Sequence, residues 1–237
     1  MNLERGKLFT ICAIIAVLGF VTGSTFAVTV DVDSPSGLGA TATFTLIDPM
    51  KLEVVLTNTS TGVPYGFNNS DQLLTGISFD LSGPQIIGGT VVIGPDIGDH
   101  SLNFDIGPLD NGADVSSEWG YGNSGSTGML ANMVSTNVSH MVPFSNGPNL
   151  DGPESLDGPQ GGLITDPVVV YLGENLGAIQ NSIVITLNLG GDGLRNMSFL
   201  DNGVIAEFGS DAAFIPEPAT ICLLGLGSLS LIRRWTR

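Results

Sequence analysis

The clearest pattern in the chain is the alternation over Ser182–Leu189. Ile183, Ile185, Leu187 and Leu189 fall on one side of an extended chain, and Val184, Thr186 and Asn188 on the other. A period of two marks a half-buried β-strand, because successive side chains of a strand point to opposite faces. The same reasoning predicts a strand over Leu73–Leu81, with Ile77, Phe79 and Leu81 alternating, and another over Val204–Phe208. Ala40–Ile47 and Lys51–Asn58 carry β-branched and aromatic residues on either side of Asp48-Pro49-Met50, which reads as a hairpin with a short turn. Gln85–Ile93 is apolar and β-branched around Gly88-Gly89, a pair that predicts a bulge. Ser101–Ile106, Met129–Val138 and Val168–Leu172 are weaker strand predictions, and Leu176–Gln180 reads as one short helical turn.

Residues 107–165 break the pattern with many glycines and prolines. Leu-Asp-Gly-Pro occurs at Leu150–Pro153 and again at Leu156–Pro159. Two copies are too few for a repeat array. The region reads as a surface excursion built on Asp-Gly turns. Strands do not alternate with long helices anywhere, which argues against a parallel α/β sheet. The expected fold class is all-β: an antiparallel β-sandwich, jelly-roll-like in the first reading and a β-barrel in the second. An N-terminal signal-peptide helix and a short C-terminal apolar helix would flank it.

Both ends carry targeting patterns. Arg5 and Lys7 precede an apolar run from Leu8 to Val21, and Thr25-Phe26-Ala27 is a small-residue cleavage site. This predicts a secretory signal peptide, handled by Sec-type export machinery and cut after Ala27. At the other end, Pro216-Glu217-Pro218 is followed by 14 mostly apolar residues, Ala219–Ile232, and then by Arg233, Arg234 and Arg237. As a helix that run would rise ~21 Å. A bilayer core is ~30 Å thick, so the run is a short transmembrane segment suited to a transient hold. The arginines favour the cytoplasmic side, and Pro218 suits the first turn of a helix.

The ordered set of triplet, short apolar span and terminal arginines resembles the PEP-CTERM sorting signal of bacterial exopolysaccharide-associated proteins. The resemblance covers the tail only. It implies that an integral-membrane cysteine protease, exosortase, recognises Pro216, Glu217 and Pro218 and processes the protein on its way to the surface, with Arg233, Arg234 and Arg237 as the cytoplasmic basic end. The chain then divides into a signal peptide (1–27), an exported acidic domain (28–215) and a sorting tail (216–237).

Composition limits what the exported domain can do. The two cysteines, Cys12 and Cys222, both lie in the targeting segments. The body therefore has no disulfide framework, thiolate metal site or cysteine nucleophile. The chain has a net charge of −16. The body alone is near −19: its cations are Lys51 and Arg195, against 21 of the chain's 23 carboxylates, Glu4 and Glu217 lying outside it. Nucleic acid would be repelled, since phosphate binding needs clustered Lys and Arg. Solubility through self-repulsion explains the charge most simply; divalent-cation binding is the sharper alternative.

Catalytic patterns are thin. His100 and His140 are the only histidines and form no H-E-x-x-H motif. Gly122-Asn123-Ser124-Gly125-Ser126 approaches a nucleophile elbow, but Ser126 stands where the final glycine belongs. Glu118 beside Trp119 and Tyr121 is the best glycosidase-like grouping, with an aromatic able to stack on a sugar; a loop aromatic covering the core explains it more simply. Asp31 with Asp33, Asp96 with Asp99, Asp110 with Asp114, and Asp151 with Asp157 put hard oxygen donors in turns, yet none fits an EF-hand loop. Asn58, Asn68, Asn137 and Asn196 head glycosylation-type sequons that follow from the Asn/Ser/Thr-rich composition. No catalytic, cofactor or metal residue is assigned, and no cofactor is expected.

The expectation is an exosortase-sorted, non-enzymatic cell-surface or extracellular-matrix protein, associated with exopolysaccharide and held transiently in the inner membrane. A carbohydrate- or calcium-binding adhesion module is the alternative, and a secreted glycan hydrolase the second.

Overall fold

The computed structural model describes residues 27–33, 37–61, 72–102, 108–124, 129–136, 161–166, 177–209 and 213–216. In chain order the strands are β1 (Ala27–Asp33), β2 (Gly39–Asp48), β3 (Lys51–Asn58), β4 (Leu74–Phe79), β5 (Gln85–Ile93), β6 (His100–Leu102) and β7 (Gly120–Gly122). They continue with β8 (Asn132–Ser135), β9 (Leu163–Ile164), β10 (Ala178–Gln180), β11 (Ser182–Gly190), β12 (Val204–Phe208) and β13 (Ala213–Pro216). A five-stranded sheet has the order β1-β2-β3-β11-β5. The eight-stranded second sheet runs β13-β12-β4-β9-β10-β6, with β8 on β4 and β7 on β8. Every pairing is antiparallel except β9 with β10. The all-β antiparallel architecture is the one that the alternation predicts. Among the described residues no helix is long and apolar enough to cross a membrane. The expected signal-peptide and tail helices, and the strand over Val168–Leu172, lie outside those residues.

The strongest sequence patterns become the centre of the first sheet. Ile183, Ile185, Leu187 and Leu189 of β11 are buried, whereas Val184 and Thr186 are half-buried and Asn188 is exposed. Leu52, Val54 and Leu56 of β3 alternate in the same sense. The β2–β3 hairpin turns through Pro49-Met50, with Asp48 opposite Lys51. The Met50 amide donates to Asp48 Oδ1 at 2.8 Å, the local side-chain bond by which Asp stabilises turns. In β5 the ladder to β11 skips Ile87: Asn188 faces Gly88 and Leu189 faces Ile86. Gly88 sits at φ 143, a backbone region open in practice to glycine. The skipped Ile87 points outward, 60% exposed.

The main apolar core of the described residues draws on both sheets, and Leu73, Ile164 and Ala178 form a smaller second cluster. Phe44 from β2 meets Phe79 from β4 edge-on at 5.5 Å, and Phe199 from the 3-10 turn Ser198–Asn202 lies 5.8 Å from Phe44 and 5.9 Å from Phe79. Such edge-to-face geometry suits the aromatic quadrupole. β4 is buried along its whole length, so its alternation reflects a central strand with both faces covered.

Two sequence expectations need correction. Leu176–Gln180 reads as a helical turn, but Ala178–Gln180 is strand β10, paired with β6 and β9. Residues 107–165 are more than a surface excursion: Val115, Trp119, Met133, Val134 and Leu163 are all buried.

The reason for the first correction is a one-residue crossing between sheets. Only Asn181 separates β10 in the second sheet from β11 in the first, and it adopts φ 76. Asn is among the few residues that enter this left-handed region readily. Its amide N–H donates to the Ile164 carbonyl at 2.8 Å, its carbonyl accepts from the Asn58 amide at 3.2 Å, and its side-chain Nδ2 donates to Asp99 Oδ1 at 2.8 Å. Asp99 is buried; its Oδ2 accepts from Ser182 Oγ at 2.9 Å and from the Asp96 amide at 3.1 Å. Asn58 closes the same corner by donating from Nδ2 to the Leu163 carbonyl at 2.7 Å and the Gln72 carbonyl at 3.1 Å. Gly94 must lack a side chain here, since a Cβ would stand 2.0 Å from Ser182 Oγ and 2.4 Å from Asp99 Oδ2.

Two outcomes are expected in thermal or urea melts. Ile185→Asp puts an unpaired charge into the core and costs at least about 3 kcal/mol, whereas Asn188→Asp on the opposite face changes stability by no more than about 0.5 kcal/mol. Asp99→Ala strips three donors of their acceptor and costs about 1–3 kcal/mol, as does Asn181→Val, which adds backbone strain. Wild-type melting of Ile185→Asp would show that the buried face is misassigned. Wild-type melting of both corner variants would remove the corner's role.

Candidate functional site

The C-terminal strand is where the fold meets the sorting signal. Gly209, at φ 66, turns the chain after β12 and donates its amide to the Leu73 carbonyl at 2.9 Å. The chain returns as β13, whose register places Ala213 opposite Phe208, Phe214 opposite Glu207, Ile215 opposite Ala206 and Pro216 opposite Ile205. β13 is the edge of the second sheet, the place where a proline without an N–H is tolerated. Pro216 is thus both the first residue of the Pro-Glu-Pro triplet and the last residue of a sheet. Glu217, Pro218, Arg233, Arg234 and Arg237 lie outside the described residues. At the other end, Ala27 opens β1 opposite Thr45. β1 lies beside both β12 and β13, so the first and last strands of the domain are neighbours.

The residues with candidate chemistry are placed as follows. Trp119 is fully buried in the main core, so its ring presents no face for a sugar. Tyr121 packs against that core, and burial raises its phenol above the ordinary value of 10.0. Glu118 closes the 3-10 turn Ser116–Glu118. The Trp119 Nε1 is buried without a hydrogen-bond partner, a cost that the large apolar ring offsets by its own burial.

The aspartates act in turns and in the interior. Asp31 Oδ1 accepts from Thr41 Oγ1 at 2.8 Å across the β1–β2 ladder, and Asp33 is exposed. Asp99 is committed to the corner, while Asp96 is exposed. Asp114 Oδ1 accepts from the Ser116 amide at 2.9 Å and from its hydroxyl at 2.5 Å. The backbones of Asp110 and His100 form an isolated antiparallel β-bridge, and His100 Nδ1 hydrogen-bonds to the Gly98 carbonyl. Among the described residues no three His, Cys, Asp or Glu side chains group to hold a metal ion. His140, Ser126, Asp151, Asp157, Asn68 and Asn137 lie outside the described residues. Asn58 is a buried structural cross-link, and Asn196 Oδ1 accepts from the Ser198 amide at 2.9 Å.

One buried carboxylate escaped the sequence reading. Glu207 on β12 is fully buried, and its Oε2 accepts from Ser135 Oγ of β8 at 2.8 Å. The two meet over Gly76 of β4, where a Cβ would stand 2.6 Å from Oε2. A glycine inside a strand was the available signal, since it often marks a close approach of other groups.

Comparison with known proteins concerns the tail. Residues 214–237 match the family described as the PEP-CTERM protein-sorting motif. No curated protein and no solved structure matches the chain. The chain therefore ends in a PEP-CTERM sorting tail, which supports exosortase-dependent sorting to the surface.

Proposed function

We propose that this protein is a non-enzymatic component of the bacterial cell surface or extracellular matrix, delivered by exosortase and associated with exopolysaccharide. The single observation that carries the reading is the PEP-CTERM motif over residues 214–237. The tail positions the exported domain in the inner membrane long enough for processing, and the domain is the cargo. Two features of the domain support a role as cargo. The aromatic of the Glu118-Trp119 grouping belongs to the core, and the aspartates at Asp99 and Asp114 serve hydrogen bonds within the fold. The domain's net charge, near −19, spreads over it and keeps it soluble and self-repelling outside the cell.

Mass spectrometry of native surface protein is expected to find mature chains that lack Arg233–Arg237. A C-terminus at Arg237 on most molecules rejects processing.

Calcium is expected to act on this domain only through its diffuse negative field, which salt screens over ~8 Å at physiological ionic strength. A dedicated site would gather six to eight oxygens around one ion and resist moderate salt. Calorimetry of the released protein with calcium in ~150 mM salt is expected to show no saturable one-to-one isotherm. A micromolar isotherm with a matching rise in Tm would favour a calcium-dependent adhesion module instead.

A further inference from the structure

We propose that the end of the sandwich bearing the β2–β3 turn is a lipid-contacting surface, which meets a phospholipid bilayer through Ile47, Met50 and Ile87. This rests on the reading of Ala219–Ile232 as a membrane segment and adds which part of the domain touches the lipid. The topology defines the end. β2 and β3 join there through Pro49-Met50. β11 finishes there at Gly190, opposite the start of β5 at Gln85. Residues 80–84 and 191–203 carry the chain between the two sheets there. β12 starts there at Val204, opposite Phe79, so Pro216, opposite Ile205, is at the same end.

Among the described residues five large hydrophobics are exposed, and three of them, Ile47, Met50 and Ile87, lie at this end. Of the others, Val28 lies further in on β1, and Ile97 lies in the loop after β5 at the opposite end. Met50 and Ile87 flank the segment that follows β11. A Cβ on Gly193 would stand 2.8 Å from Met50 Sδ, and one on Gly190 would stand 2.9 Å from Ile87 Cγ2. The turn is braced against the same segment: the Leu189 amide donates to the Met50 carbonyl at 2.9 Å, and the Leu194 amide to the Pro49 carbonyl at 2.7 Å. The apolar side chains therefore stand on a fixed frame.

Charge separates the two ends. Lys51 and Arg195, the domain's two cations, both lie here: Lys51 follows Met50, and the exposed Arg195 follows Leu194. They offset half the charge of Asp48, Asp80, Asp192 and Asp201, the aspartates of these turns. Among the described residues the opposite end carries Asp33, Asp96, Asp99, Asp110 and Asp166 with neither Lys nor Arg. Apolar side chains beside cations fit a phospholipid surface, the first entering the headgroup layer and the second meeting its phosphates. The chain beyond β13 selects the same end. Only Glu217 and Pro218 separate Pro216 from the apolar run that starts at Ala219, and two extended residues reach at most ~7 Å. A bilayer that holds the run has this end within reach.

The test uses the full chain in vesicles of phosphatidylethanolamine and phosphatidylglycerol. Ile47→Cys and Ile87→Cys carry a fluorophore at this end and Ile97→Cys at the other, each with Cys12→Ser and Cys222→Ser. All three sites are exposed, so the label displaces no core. The native Cys222, labelled in a Cys12→Ser chain, reports on the tail. Labels at positions 47 and 87 are expected to lose most of their quenching by aqueous iodide and to be quenched by nitroxide-bearing lipid, while the label at position 97 responds to iodide alone. Iodide quenching at positions 47 and 87 equal to that at 97, with Cys222 quenched by the lipid, overturns the proposal and leaves the membrane segment standing. A Cys222 label open to iodide overturns both. Shielding at 47 and 87 without lipid quenching also overturns it: dependence on protein concentration assigns the surface to a second copy, and independence assigns it to the chain's own tail.

Discussion

The sandwich depends on one crossing, the single residue Asn181 that carries the chain from the second sheet to the first. A direct step between two sheets leaves the backbone groups of the turn inside the protein, where each unpaired one costs about 1–3 kcal/mol. Here they are all used. Asn181 bonds Ile164 on one sheet and Asn58 on the other, and its side chain bonds Asp99. Asp99 in turn binds the first residue of β11 through Ser182 Oγ. The bonds run from β3, β9 and β11 to the loop before β6, so this corner ties the two sheets together.

The corner matters more because the exported domain has no covalent brace. Its residues include no cysteine, and its charge is one-sided. A core of Leu, Ile, Val and Phe, each side chain worth about 1.5–3 kcal/mol when buried, has to outweigh the self-repulsion of a domain near −19. The fold does so by keeping most described carboxylates at the surface. Asp99 and Glu207 are the buried exceptions, and both accept hydrogen bonds from serine hydroxyls, Ser182 and Ser135. The sequence spacing that suggested calcium loops has the same origin: aspartate before a tight turn caps a backbone amide, as Asp48 and Asp114 do.

What could be read from the sequence follows from how local the cause is. β3 and β11 are half-buried strands, and their period of two states that directly. The bulge at Gly88 was readable because glycine there answers a local backbone need. β10 was not, because Ala178–Gln180 is a strand only through its partners β6 and β9, distant in the chain. β13 was missed for the same reason: four residues next to a proline carry no period, and β12 supplies the ladder. Trp119 illustrates the limit for candidate sites. Its neighbours Glu118 and Tyr121 suggest a binding face, yet large aromatics also bury the most apolar area, and only the fold decides between the two. The sorting motif was readable because it is a linear pattern, and residues 214–237 match it.

That linear signal and the fold nonetheless share residues. In this chain the triplet's first residue is held in the sheet. Its partner β12 pairs in turn with β4, and that pairing joins residues more than a hundred positions apart. Contacts of such separation form late, since loop closure comes before their reward. Through β12, the C-terminal strand is thus tied to contacts between distant parts of the chain. β1, the first described strand, lies beside β13. The first and last described strands are thereby joined into one region of the fold, at the start of the matched sorting motif.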